Sequence, residues 1–138
     1  MFRLSFAVCC LGAVLLIATA ADARTFQLTA SPAVPAANGK VDASKDKNGN
    51  TEVSLSAEHL AQPGMLTPPA SNYIVWFQEE GRQPVNEGQM KVGKDLKGDF
   101  KTTTRFHNFK LFITAESDAQ ASAPSGQTVL STTVQSAD

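Results

Sequence analysis

The sequence predicts an all-β protein: an immunoglobulin-like antiparallel β-sandwich of roughly seven or eight strands behind an N-terminal signal peptide. Three observations carry that expectation. The stretch Asn72-Tyr73-Ile74-Val75-Trp76-Phe77-Gln78 holds the only Trp and the only Tyr. Its run of large apolar residues reads as a strand buried on both faces, because a half-exposed strand would alternate. On either side, short alternating segments are separated by turn signals every eight to twelve residues or so, the spacing of a sandwich. Finally, no segment holds a helical period; the best candidate, Ser54 to Ala61, is preceded by clean alternation.

The chain begins with a basic head, Met1-Phe2-Arg3, then an uncharged and mostly apolar run from Leu4 to Ala21, then the small-x-small site Ala21-Asp22-Ala23. This is the pattern of a secretory signal peptide cleaved after Ala23. The rival reading is an uncleaved anchor, since the apolar run nearly matches a bilayer. Cys9 and Cys10 fall inside it, so the mature domain, residues 24–138, has no cysteine and no disulfide. Its length suits one domain with a core of its own. Removal of Arg3 and Asp22 leaves the net charge at −1. With both signs mixed along the chain, there is no basic stripe for nucleic acid and no polybasic membrane patch. The expected location is secreted or periplasmic, with no stable membrane insertion once the leader is removed.

Within the mature chain, Thr25 to Ser31 alternates and reads as a first strand. A Pro/Ala connection follows from Pro32 to Gly39, then a weaker strand from Gly39 to Ser44. Asp46-Lys47-Asn48-Gly49-Asn50 is a hairpin turn, because Asn-Gly tolerates the positive φ that tight turns need. Thr51 to Ala57 alternates, with Val53, Leu55 and Ala57 inward. Ala61 to Ser71 is a long irregular loop in which Pro63-Gly64 and Pro68-Pro69 forbid helix and sheet interior. In the central strand, Tyr73, Val75 and Phe77 share one face, and Ile74 and Trp76 the other. Val85 to Val92 is a short edge strand weakened by Gly88. Gly93 to Asp99 is a charged turn. Phe100 to Phe106 is a strand, broken by His107-Asn108. Phe109 to Glu116 places Phe109, Leu111 and Ile113 on one face. Asp118 to Gly126 is a loop, and Gln127 to Val134 closes the domain.

Several of these residues resemble a known family. Tyr73-Ile74-Val75-Trp76 followed by Pro84-Val85 and Gly88, then Gly98-x-Phe100, then Phe112-Ile113-Thr114-Ala115-Glu116, then Pro124-Ser125-Gly126 leading to Val129-Leu130, look like the extracytoplasmic sandwich of the anti-sigma-K factor family. The likeness spans roughly residues 72–131 and its motifs are structural. It implies an immunoglobulin-like sandwich in a bacterial envelope setting. That family carries a sigma-binding segment and a membrane span ahead of the sandwich, whereas only Met1 to Arg3 precede the apolar run here. Anti-sigma activity is therefore not implied.

The search for chemistry returns few candidates. Asp46 to Asn50 copies the start of a calcium loop, but its sixth and twelfth positions are Thr51 and Ala57 instead of Gly and Glu. Copper could use His59 and His107 with Met65 and Met90, though the mature chain lacks the Cys of a blue-copper site. No Gly-x-Ser-x-Gly elbow and no Gly-rich phosphate loop occurs, and Glu79-Glu80 would point to opposite faces of a strand. The expectation is no enzyme and no cofactor. What remains is a binding or interaction module for an envelope protein or glycan. Its contact surface would be the loop bearing Met65, Leu66, Pro68 and Pro69, stiffened by its prolines and with Met65 and Leu66 read as exposed. A simpler reading has that loop folding over the open end of the core, with Met65 as its plug. The core itself is assigned to Tyr73, Val75, Trp76, Phe77, Phe109, Leu111 and Ile113.

Overall fold

The computed structural model describes residues 23–135; the leader and its cleavage site lie almost wholly outside them. Nine strands form two antiparallel sheets among these residues. They are β1 (Arg24–Gln27), β2 (Thr29–Ala30), β3 (Asn38–Lys45), β4 (Thr51–Glu58), β5 (Asn72–Gln78), β6 (Val85–Met90), β7 (Gly98–Thr104), β8 (Asn108–Glu116) and β9 (Thr128–Gln135). One sheet has the order β1-β3-β4-β7 and the other β2-β9-β8-β5-β6. The layering is the expected sandwich, with nine strands instead of seven or eight. One connection differs from the immunoglobulin constant order, in which the second strand pairs with the fifth. Here β3 turns straight back onto β4 through the Asn48-Gly49 hairpin.

The extra strand arises at Leu28. The alternating run from Arg24 to Ala30 starts on β3 and ends on β9, so a single stretch serves both sheets. Leu28 sits at the crossing, where its N–H donates to the Gly39 carbonyl at 2.9 Å and its side chain is buried. Gly39 makes room for it: a Cβ there would lie 2.7 Å from Leu28 Cδ1. Alternation alone does not reveal a change of partner, because both halves keep the same period.

The core lies between the sheets. Val41, Ala43, Val53, Leu55 and Ala57 face Tyr73, Val75, Phe77, Leu111, Ile113 and Val134, all of them buried. Phe77 meets Phe109 at a ring separation of 4.5 Å. On β9 a register shift leaves Val129 without a partner between Leu130 and Thr128, which lets two adjacent residues, Val129 and Leu130, both reach the interior. A second bulge, on β6, leaves Glu87 unpaired between Asn86 and Gly88.

The far face of β5 is also covered. Ile74 and Trp76 are fully buried there with Phe112, and Ala119 and Ala121 from the β8–β9 connection pack on them. Asn86 holds that connection in place, its amide donating to the carbonyls of Ala119 at 3.2 Å and Ala121 at 3.0 Å. The Lys110 ammonium stands 5.2 Å from the centre of the Phe112 ring. The Trp76 indole N–H, shut off from water, donates to Thr114 Oγ1 at 2.8 Å. Burying this side chain contributes a few kcal/mol, provided its one polar group stays paired.

That condition gives a test. Thr114→Val keeps the shape and removes the acceptor, leaving a buried N–H without a partner. The expected loss is about 1–3 kcal/mol in urea unfolding. Thr114→Ser keeps the oxygen and is expected to lose less. Equal midpoints for the two variants would show that the indole bond does not matter.

Candidate functional site

The antiparallel order gathers the longer connections at one end of the sandwich. These are residues 31–37, 59–71, 91–97 and 117–127; the opposite end has only 46–50, 79–84 and 105–107. Long loops on a rigid scaffold are where binding surfaces are usually built.

This end is braced. Leu60 N–H donates to the Leu96 carbonyl at 3.0 Å, and the Gln62 amide to the Gly93 carbonyl at 3.0 Å, tying residues 59–71 to 91–97. The Tyr73 hydroxyl, buried with its ring, donates to the Ala61 carbonyl at 2.7 Å. On the other flank the Gln127 amide donates to the Thr67 carbonyl at 2.8 Å, and Ser71 N–H to the Glu116 carbonyl at 3.1 Å. Pro63–Met65 form a single 3₁₀ turn inside the loop, and the Thr67–Pro68 peptide is cis.

Glu116 is the residue that sequence reasoning missed. Its side chain is buried, and its carboxylate accepts from Ser125 N–H at 2.7 Å, Ser125 Oγ at 3.0 Å and Gly126 N–H at 2.9 Å. A carboxylate can leave water when several donors converge on it. Gly126 is required at the contact, because a Cβ there would lie 1.6 Å from the Ala115 carbonyl oxygen. The available signal was Glu at the end of an apolar strand, with Ser-Gly ten residues on.

The structure divides the two residues of the loop tip. Leu66 is buried and belongs to the core, whereas Met65 is 80% exposed. The expectation of an exposed Leu66 is therefore corrected, and so is that of Met65 as a plug. The reason is local: the 3₁₀ turn swings Met65 outward and the chain leaving it turns Leu66 in. Pro68 and Pro69 are exposed. Leu96, at φ 61° in the neighbouring loop, is 37% exposed. Lys91, Lys94 and Lys97, on the same segment, are exposed. A groove of about 250 Å³ runs between the two loops, lined by Gln62, Pro63, Tyr73 and Val92 among others.

The remaining candidates are not assembled into sites. Ala57 pairs with Gly98 and Thr51 with Thr104, and His59 and His107 lie beyond opposite ends of that ladder. At strand rise they are about 20 Å apart or more, too far to share a copper ion. No group of three His, Cys, Asp or Glu able to hold a metal occurs among the described residues. Met90 is buried under the core. Asp46 turns its carboxylate onto its own hairpin, accepting from Asn48 N–H at 2.8 Å and Asn50 N–H at 2.9 Å. Glu87, half-buried on the β6 bulge, has its carboxyl pushed up by desolvation, with no second acid or base among the described residues held against it by a hydrogen bond.

Two predictions follow from the bracing. Burial pushes the Tyr73 phenol from its ordinary 10.0 up to about 12. Between those values the unfolded chain gives up the proton and the folded one keeps it. The stabilisation is complete below about pH 10 and is lost as pH rises towards about 12. Tyr73→Phe should flatten that slope in a denaturation series across this window. Glu116→Ala strands the donors of Ser125 and Gly126 and should cost about 2 kcal/mol or more. Faster hydrogen exchange at Ser125 and Gly126 should accompany the loss; unchanged protection there would mean the carboxylate does not hold the loop.

Compared with known proteins, the chain matches no family model, no curated protein and no solved structure, so its likeness to the anti-sigma-K sandwich rests on the sequence motifs alone.

Proposed function

We propose that the protein is a non-catalytic, secreted or periplasmic module of the bacterial cell envelope that binds a protein partner through the braced loop end. The observation that carries this reading is Met65, 80% exposed on a loop hydrogen-bonded at both flanks. An apolar, adaptable side chain held out by a rigid support loses little freedom on binding and gains the full burial of its surface. Leu96 and the lysines of residues 91–97, on the loop tied to that of Met65 at Leu60 and Gln62, would form the rest of the patch, an apolar centre with a basic rim.

A protein partner is favoured over a glycan. Sugars are commonly gripped by exposed aromatic faces, and among the described residues every aromatic ring is buried or half-buried. Export is supported by the leader pattern, and the envelope setting by the anti-sigma-K resemblance. The non-catalytic part rests on the missing nucleophile and phosphate motifs and on Glu116, the one buried carboxylate among the described residues, being committed to loop closure.

A photo-reactive residue placed at position 65 should capture one dominant partner in the envelope fraction. The same residue at position 54, on the outer face of the four-stranded sheet, should not. Met65→Asp should weaken that partner's binding about tenfold or more while leaving the unfolding midpoint unchanged. Identical capture from both positions, or none from position 65, would sink the proposal.

A further inference from the structure

Four strands border the two sheets: β1 and β7 on one, β2 and β6 on the other. A free edge offers unpaired N–H and C=O groups to any passing strand, and proteins blunt such edges by shortness, bulges or proline. Three of the four are blunted here. β1 has four residues, β2 has two, and β6 is bulged at Glu87. β7 is different. It runs for seven residues in unbroken register with β4, with no proline and no bulge. Val92 bridges Gly98, with Gly93 against Lys97 and Lys91 against Asp99, so the strand is lined only up to Asp99. From Phe100 to Thr104, no backbone hydrogen bond outside the β4 ladder occurs among the described residues.

The direction of the free groups can be read from the turn before the strand. Gly93 N–H donates to the Lys97 carbonyl at 3.0 Å, on the side away from β4. Alternation along the extended chain then turns the backbone groups of Asp99, Lys101 and Thr103 the same way. Their side chains stand exposed on the outer face of the sheet, and Arg105, just beyond the strand's end, is exposed too.

We propose that this edge pairs with the same edge of a second copy of the chain, antiparallel, about a two-fold axis at Thr102. Charge selects both the partner and the register. With the axis at Thr102, Asp99 of each copy faces Arg105 of the other, and Lys101 faces Thr103. Moving the axis to Lys101 puts Lys101 against itself, and moving it to Thr103 puts Lys101 against Arg105; like charges directly opposite are destabilising. An axis at Phe100 would match Asp99 with Lys101 but would have to displace Val92 from Gly98. The favoured register keeps Val92 on Gly98, displaces only Lys91 from beside Asp99, and joins the two four-stranded sheets into one. This proposal is independent of the loop-end reading, whose residues lie on other segments.

The test is sedimentation of the purified protein over a concentration series reaching the millimolar range. The expected result is a concentration-dependent doubling of mass. Arg105→Asp sets two acidic pairs across the axis and should weaken the dimer about tenfold. The exchange Asp99→Arg with Arg105→Asp restores the pairs and should restore the affinity. Thr103→Pro, which removes an edge N–H without touching the β4 ladder, should leave a folded monomer. A chain that stays monomeric at every concentration overturns the proposal, as does a Thr103→Pro protein that still dimerises. A charge reversal that leaves the affinity unchanged, or an exchange that fails to restore it, overturns the register.

Discussion

The structure depends on one strand having no wet face. Tyr73 to Phe77 are buried without exception, so β5 must be covered twice. The four-stranded sheet covers one side, as in any sandwich. The other side of a sandwich sheet normally faces water, and here it cannot, because Ile74 and Trp76 occupy it. The β8–β9 connection supplies the second cover, with Ala119 and Ala121 packed on the cluster of Ile74, Trp76 and Phe112. Small residues suit that role because they let the chain pass close to the ring. Much of what looks incidental elsewhere serves this cover. Asn86 hooks the connection from the neighbouring edge strand, and Glu116 closes it where it returns to β9.

Each buried polar group on this path is paired, and the pairing links layers that apolar contact alone would leave free to slide. Thr114 holds Trp76 across two strands of one sheet. The Tyr73 hydroxyl ties the core to the start of the irregular loop. Thr51 reaches from the four-stranded sheet to the Phe106 carbonyl at 2.8 Å, fixing the short turn at the opposite end. Directional bonds of this kind add little net stability when made and cost about twice as much when one partner is removed. They therefore specify one arrangement among many that would bury similar area.

How much of this was legible follows from what periodicity can encode. β4, β5 and β8 were readable because their alternation, or its absence, states which faces are buried. The hairpin at Asn48-Gly49 was readable because few residues tolerate its backbone. The split at Leu28 was not, since a strand that changes sheets keeps its alternation. The loop from Ala61 to Ser71 could be placed at an end of the core, but not resolved residue by residue. An irregular segment has no period, so nothing in the sequence distinguishes the exposed Met65 from the buried Leu66. Glu116 was hidden for a related reason. A carboxylate at a strand end reads as solvated until the donors of Ser125 and Gly126 are seen to converge on it. His59 and His107 were visible as residues, but their separation is a property of strand register, which emerges only when β4 and β7 are paired.

The two proposed surfaces constrain one another through symmetry. A two-fold axis perpendicular to the sheet at Thr102 makes β7 of one copy antiparallel to β7 of the other. The long connections sit at the end where β7 begins, so the braced ends of the two copies would point in opposite directions. Neither Met65 nor Leu96 would then be covered by pairing, and both ends would stay open to partners. Such a dimer could not bring both ends down on one flat surface, but it could bridge two partners lying on opposite sides of it. Avidity on one flat surface would then not arise, because gain from linkage requires both sites to be engaged at once. What the arrangement favours instead is a connecting role between two separate bodies, with the joined eight-stranded sheet as the rigid spacer and its outer face, polar and free of aromatic rings, left in water.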